Sequence, residues 1–279
     1  MAKTSAPPSA ADLGIRSASE ADISPYHQIL LVGPTGSGKS AQIWTLPGKK
    51  LVFVFDPNTM TTLQGCPDCD VLEFLPDFLD IDATLKGFNK GAKDDKPKQH
   101  KEPLLYLRFV DTLNQIVEQE IYKSYQWLVF DSLTFVSKAV MDRQLYINNR
   151  FGGIEDIADY RVVGSKLADV FSSVNGLPIN IFSTGHLSVF QDDKTNKIVT
   201  QIWLPGKARN ILPLTHSNVW LACAGEKPGM YEIQTVPEQK GLQEIRTSLK
   251  GLQAYEDVTI KDFKNATKFG IGALLKKAA

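Results

Sequence analysis

The chain has 279 residues, and its 31 basic and 31 acidic side chains cancel to zero net charge. This excludes a protein that coats nucleic acid by bulk charge alone, so any such contact must come from a local patch or from assembly of several copies. Three cysteines are too few for a disulfide framework, the N-terminus lacks the apolar centre of a secretory signal, and no run reaches the ~18 apolar residues of a membrane span, so a cytoplasmic protein with no membrane partner is expected.

Residues 1–25 are rich in Ala, Ser, Pro and Asp and read as a flexible arm, with a short helix near 10–13. The first core strand is expected at 28–32 and a helix at 39–45, ended by Pro47-Gly48. A second strand follows at 50–56 and a shorter one at 71–75. Residues 86–101 hold six lysines against two aspartates and read as a basic loop, either a solvated insertion or a phosphate-contact surface. Apolar residues at 105, 109, 113, 116 and 117 give the period of a helix over 104–122. A strand at 127–131 precedes two helices, 133–149 and 156–174, separated by Phe151-Gly152-Gly153. Another buried strand is expected at 179–184, a hairpin over 187–203, a short helix at 205–213, and an antiparallel pair at 219–224 and 231–236. The end, 261–279, reads as helical or frayed. There is no internal repeat. The expected organisation is an arm (1–25), an α/β domain (26–250) containing the 86–101 insertion, and a C-terminal extension (251–279).

The most informative stretch is Gly33-Pro34-Thr35-Gly36-Ser37-Gly38-Lys39-Ser40, a complete G-x-x-x-x-G-K-[ST] match followed by Ala41. Glycines let successive backbone N–H groups converge on phosphate oxygens, and the start of the following helix adds partial positive charge. Lys39 would reach the β- and γ-phosphates, and the Ser40 hydroxyl would ligate a magnesium ion. The stretch 33–41 is therefore a candidate ATP cradle. Asp131 ends an apolar strand, where such proteins place the carboxylate that holds Mg²⁺. Asp56 closes the neighbouring strand and has two readings: it orients the attacking water, or it caps the Pro57-Asn58 turn. Thr184-Gly185-His186 follows another strand end, which places Thr184 and His186 to sense the γ-phosphate. Cys66-Pro67-Asp68-Cys69 is a lone C-x-x-C without a second ligand pair, and reads as a turn with two free thiols rather than a zinc site.

Taken in this order, these pieces resemble the RecA-like core of P-loop ATPases over about residues 26–250. More narrowly, Thr184-Gly185-His186, Leu204-Pro205-Gly206-Lys207 and Ile245-Arg246-Thr247 look like the phage-encoded ATP-binding proteins of the single-strand-annealing group. The resemblance implies a mostly parallel central sheet with antiparallel strands at its C-terminal side. It implies Mg²⁺-ATP bound between subunits of a ring or filament, with Lys39, Asp56, Asp131 and His186 in catalysis and Arg246 completing a neighbour's site. It further implies single-stranded DNA as partner, a single-strand DNA-binding protein as a second partner, and the host cytoplasm as location. Its two DNA-facing loops would fall at 148–159 and 187–203, with Arg150, Phe151, Phe190, Lys194 and Lys197 as contacts. Two departures stand out. Asn58 replaces the family's usual glutamate, which implies slow hydrolysis, and Glu244-Ile245-Arg246 retains only the arginine of a Lys-x-Arg pattern. The sequence leaves two other readings open: a ring translocase or helicase-type motor, and a nucleotide-binding loading partner with little hydrolysis.

Overall fold

The computed structural model describes residues 25–76, 102–191, 196, 198–238 and 242–278. Residues 1–24 of the arm and the basic loop at 86–101 lie outside the described residues. Nine strands form the frame: β1 (Gln28–Gly33), β2 (Lys50–Val54), β3 (Cys69–Glu73), β4 (Trp127–Asp131), β5 (Asn180–Gln191), β6 (Ile198–Ile202), β7 (Asn218–Ala224), β8 (Tyr231–Gln234) and β9 (Tyr255–Asp257). Their order is β3-β2-β4-β5-β1-β7-β8-β9, with β6 attached to β5. The pairs from β3 to β7 are parallel, and β7–β8 and β8–β9 are antiparallel. This is the mostly parallel α/β sheet with C-terminal antiparallel strands that the sequence implies.

The strands are continuous apolar runs because both faces of the sheet are covered. Side chains alternate strictly between two cores. Leu30 and Val32 of β1, Phe53 of β2 and Phe130 of β4 enter one core; Ile29, Leu31, Val52 and Val129 enter the other. The first core is capped by α2 (Leu105–Glu118), α3 (Leu133–Ile147), α4 (Ile157–Asn175) and α5 (Ala208–Leu214). Phenylalanines fill its centre: the rings of Phe53 and Phe130 stack at 4.8 Å between centroids, and Phe109 and Phe171 meet Phe130 edge-on. The second core is closed by a 3-10 helix (Ser40–Thr45), α1 (Thr59–Leu63) and α6 (Gly270–Ala278).

β5 serves two neighbourhoods. Its first half pairs with β1 and β4 as far as His186, opposite Gly33, and its second half continues past the sheet as the arm of a hairpin with β6. The sequence places the hairpin correctly but ends the strand at 184. The helix expected at 39–45 is a 3-10 turn over Ser40–Thr45, and it ends at Leu46, which precedes Pro47 and is held extended at φ −66°, ψ 128°. The helix expected over 104–122 ends at Glu118, and Ile121–Ser124 form a separate 3-10 turn after Glu120, whose φ is +56°.

Candidate nucleotide-binding site

The loop 33–40 leaves the C-terminal end of the central strand β1, with β5 on one side and β7 on the other. Its path depends on two positive-φ glycines, Gly36 and Gly38, both at φ +79°. A Cβ at Gly36 would enter open space, whereas one at Gly38 would lie 3.1 Å from the Tyr231 ring. Tyr231, on β8, therefore braces the loop from behind, a contact with no sequence signal. The Ser37 hydroxyl donates to Pro34 O at 2.8 Å and tightens the turn.

Lys39 folds back over the loop. Its Nζ donates to Pro34 O at 2.7 Å and Gly33 O at 3.0 Å, and the side chain is buried. Burial lowers its pKa to about 8, and the carboxylates of Asp131 and Asp56 pull in the opposite direction. The structure thus brings Lys39, Asp131 and Asp56 into one electrostatic neighbourhood.

Asp131 is buried at the end of β4, and both carboxylate oxygens are engaged. Oδ2 accepts from Thr59 Oγ1 at 2.6 Å, and Oδ1 accepts from Thr184 Oγ1. The main chains are tied as well, since Phe55 N and Asp56 N both donate to Asp131 O. Asp56 itself turns toward its own loop: its Oδ1 accepts from Asn58 N at 2.9 Å and from Asn58 Nδ2 at 3.3 Å. This is the geometry of the turn-capping reading. His186 lies where β5 leaves the sheet. Its backbone N donates to Thr134 Oγ1 at 3.1 Å, its ring meets Phe135 edge-on, and burial followed by the Lys39 charge lowers its pKa. Its buried Nδ1 has no partner among the described residues, and neither does Ser132 Oγ, beside Asp131. Unpaired buried polar atoms at a strand-end crevice, next to a threonine-clamped carboxylate, suit an incoming polar ligand. The donor set for a metal, Ser40 hydroxyl and Asp131 carboxylate, is all oxygen and fits a hard dication such as Mg²⁺.

Other expected residues lie elsewhere. Arg246 is bridged to Val219, which pairs with Leu30 near the start of β1, away from the loop end. Its guanidinium donates to His216 O and Pro213 O in its own chain. Arg150 donates through Nη2 to buried Asp159 at 2.6 Å, lies 3.1 Å from Asp156, and donates through Nη1 to Ile154 O. It organises the α3–α4 connection, where Asp156 and Asp159 form the capping box that starts α4. Phe151 is half-buried edge-on to Tyr146, and Phe190 is exposed on the β5–β6 hairpin. Lys194 and Lys197 lie outside the described residues.

A family model described as an AAA domain matches residues 26–216. No curated protein matches the chain. Among the solved structures to which the chain is similar are two. Flagellar accessory protein FlaH from Methanocaldococcus jannaschii is 10% identical, with 85% of this chain and 87% of that chain covered and a TM-score of 0.39. The RadB recombinase is 12% identical, with 84% and 89% covered and a TM-score of 0.41.

Proposed function

The chain belongs to the AAA domain family, and from that premise we propose that it is an ATPase of RecA-like fold that binds or anneals single-stranded DNA. In this proposal it serves phage recombination or replication, with nucleotide held between copies in a ring or filament. The observation that carries the nucleotide assignment is the complete phosphate loop on β1, with Lys39 and the clamped Asp131 in one electrostatic neighbourhood. The annealing assignment draws its support from the motif set Thr184-Gly185-His186, Leu204-Pro205-Gly206-Lys207 and Ile245-Arg246-Thr247.

In this scheme the backbone of residues 33–41 surrounds the phosphates. Lys39 exchanges the Gly33 and Pro34 carbonyls for phosphate oxygens. Ser40 and Asp131 would hold Mg²⁺, which neutralises phosphate charge when bound. Thr59 and Thr184 fix the Asp131 carboxylate in one orientation, so it meets its ligand without rearranging. His186 offers its unpaired Nδ1 to the γ-phosphate region, and a water-orienting role for Asp56 requires its bonds to Asn58 to exchange. A role for Arg246 in a neighbouring copy requires its bonds to Pro213 and His216 to exchange.

One observation favours a second reading. Asn58 stands where a glutamate is usual, and it occupies Asp56 Oδ1 with both its backbone and its side-chain N–H. This supports a nucleotide-gated DNA binder with little turnover. The deciding experiment measures ATP affinity, phosphate release with and without single-stranded DNA, and pairing of complementary labelled strands. Wild-type protein should bind ATP and accelerate pairing, and Lys39→Ala should lose ATP binding. Unchanged ATP affinity in that variant would sink the site assignment. Bound ATP with no phosphate release selects the second reading, and directional strand displacement would replace annealing with a motor.

A further inference from the structure

Independently of the nucleotide site, we propose that Cys66 and Cys69 form a redox-active dithiol that closes reversibly to an internal disulfide by exchange with a small-molecule disulfide. The two thiols occupy the first and last positions of the turn Cys66-Pro67-Asp68-Cys69, between α1 and β3. Proline at the second position and a positive φ of 51° at Asp68 in the third match the demands of a type II turn. Such a turn brings its end Cα atoms within about 7 Å, the span a disulfide needs. Both side chains are free thiols, half-buried against the second core, at the edge strand of the sheet. Exchange therefore requires no unfolding of the core.

A buried cation serves the turn. Lys50, 2% exposed, donates from Nζ to Gly48 O at 3.0 Å and to Pro67 O at 3.1 Å. Two carbonyls hold this ammonium in place, one of them inside the C-x-x-C turn itself; its charge favours the thiolate form of both cysteines, and it has no carboxylate partner among the described residues. The two thiols are correspondingly unequal. A hydrogen bond from Cys69, helped by the Lys50 charge, lowers the Cys66 pKa; the same hydrogen bond and burial raise that of Cys69. Cys66 is the attacking thiolate and Cys69 the resolving thiol.

The chemistry balances with one equivalent of oxidant. The Cys66 thiolate attacks one sulfur of glutathione disulfide, the S–S bond breaks, and one glutathione leaves as its thiolate. Cys69 then gives up its proton and attacks the Cys66 sulfur. The Cys66–Cys69 bond forms and the second glutathione leaves. Two protein thiols are oxidised, and one disulfide is reduced to two thiols.

Cys223 provides an internal comparison, since burial and the nearby Glu232 raise its pKa. The test incubates the full-length protein with oxidised glutathione and follows each cysteine by intact mass and peptide mapping. Wild-type protein should lose two hydrogens at Cys66 and Cys69, and dithiothreitol should reverse this. Cys69→Ser should trap one glutathione on Cys66, and Cys66 should react at least about tenfold faster than Cys223. Far-ultraviolet circular dichroism verifies that the variant is folded, and the wild-type rates stand without it. Stable glutathione adducts in place of the internal disulfide, or Cys66 reacting no faster than Cys223, would overturn the proposal.

Discussion

Lys39 concentrates the electrostatics of the nucleotide site. Its ammonium is buried, rests on two carbonyls, and has a pKa of about 8 instead of 10.5. Because the folded-state pKa lies below the unfolded one, the charged lysine costs stability at low pH, and this cost disappears as pH rises from about 8 towards 10.5. Phosphate oxygens reverse the balance, since they favour the ammonium. Binding of ATP near pH 8 is therefore expected to take up about half a proton, and affinity should fall as pH rises above 8. Calorimetric titrations in two buffers of different ionisation enthalpy read this directly; equal apparent enthalpies would show that Lys39 does not meet the phosphates. Lys39 and Asp131 are legible in the sequence because a motif and an apolar strand announce them. Thr59 is not, because a threonine two residues after Pro57 has no local signature, and only the fold brings its hydroxyl to Asp131 from 72 positions away. Asp56 shows the opposite limit: its position at a strand end is readable, but its commitment to Asn58 is set by a turn that the sequence leaves open.

At the scale of elements, the support behind the phosphate loop is a docked C-terminal helix. The 3-10 turn Ser40–Thr45 is too short to hold itself by helical hydrogen bonding. It is held from outside: Gln42 Nε2 donates to Val258 O, and Gln42 Oε1 and Thr45 Oγ1 accept from Ile271 N and Gly272 N at the start of α6. The approach is close enough to demand glycine, because a Cβ at Gly272 would lie 2.1 Å from Thr45 O. Gly272→Ala should therefore cost about 1–3 kcal/mol and weaken ATP binding with it. Lys276→Ala, on the exposed side of the same helix, should change stability by less than about 0.5 kcal/mol. Chemical denaturation of the two variants and their ATP affinities decide this, and a neutral Gly272→Ala would mean that α6 is not the brace. The sequence reads 261–279 as helical or frayed because Gly270 and Gly272 look like breakers, when they are part of the contact surface. Strands β1 and β4 are readable because burial on both faces makes them unbroken apolar runs. α1 and β9, five and three residues long, are shorter than any period that would reveal them.

For the whole molecule, the question is how a nucleotide on one side of β5 would be felt elsewhere. β5 links the two regions: His186 belongs to the nucleotide crevice, its carbonyl accepts from Trp203 N at 2.8 Å, and the hairpin continues from that point. The described surface of the hairpin is apolar rather than basic, with Val189, Phe190, Ile198 and Trp203 exposed. Across the α3–α4 connection Ile154 and Ile157 are exposed too, while Arg150 is neutralised by Asp156 and Asp159. With zero net charge on the chain, single-stranded DNA would be gripped here by stacking on aromatic faces more than by phosphate pairing. Two consequences follow for binding of a fluorescent oligo(dT) measured by anisotropy across a salt series. The logarithm of affinity should fall with log salt at a slope shallower than about −3, the value for roughly four single-strand phosphate contacts. Phe190→Ala should cost about 1–3 kcal/mol at every salt concentration, the contribution of one stacked base. A steep slope combined with an unaffected Phe190→Ala would move the contact to lysines, with the 86–101 stretch as the next place to substitute. Because Trp203 is tied to His186, ATP should also change the intrinsic fluorescence of the protein before DNA is added, and Trp203→Phe should reduce that change, the remainder coming from Trp44 in the turn after the phosphate loop.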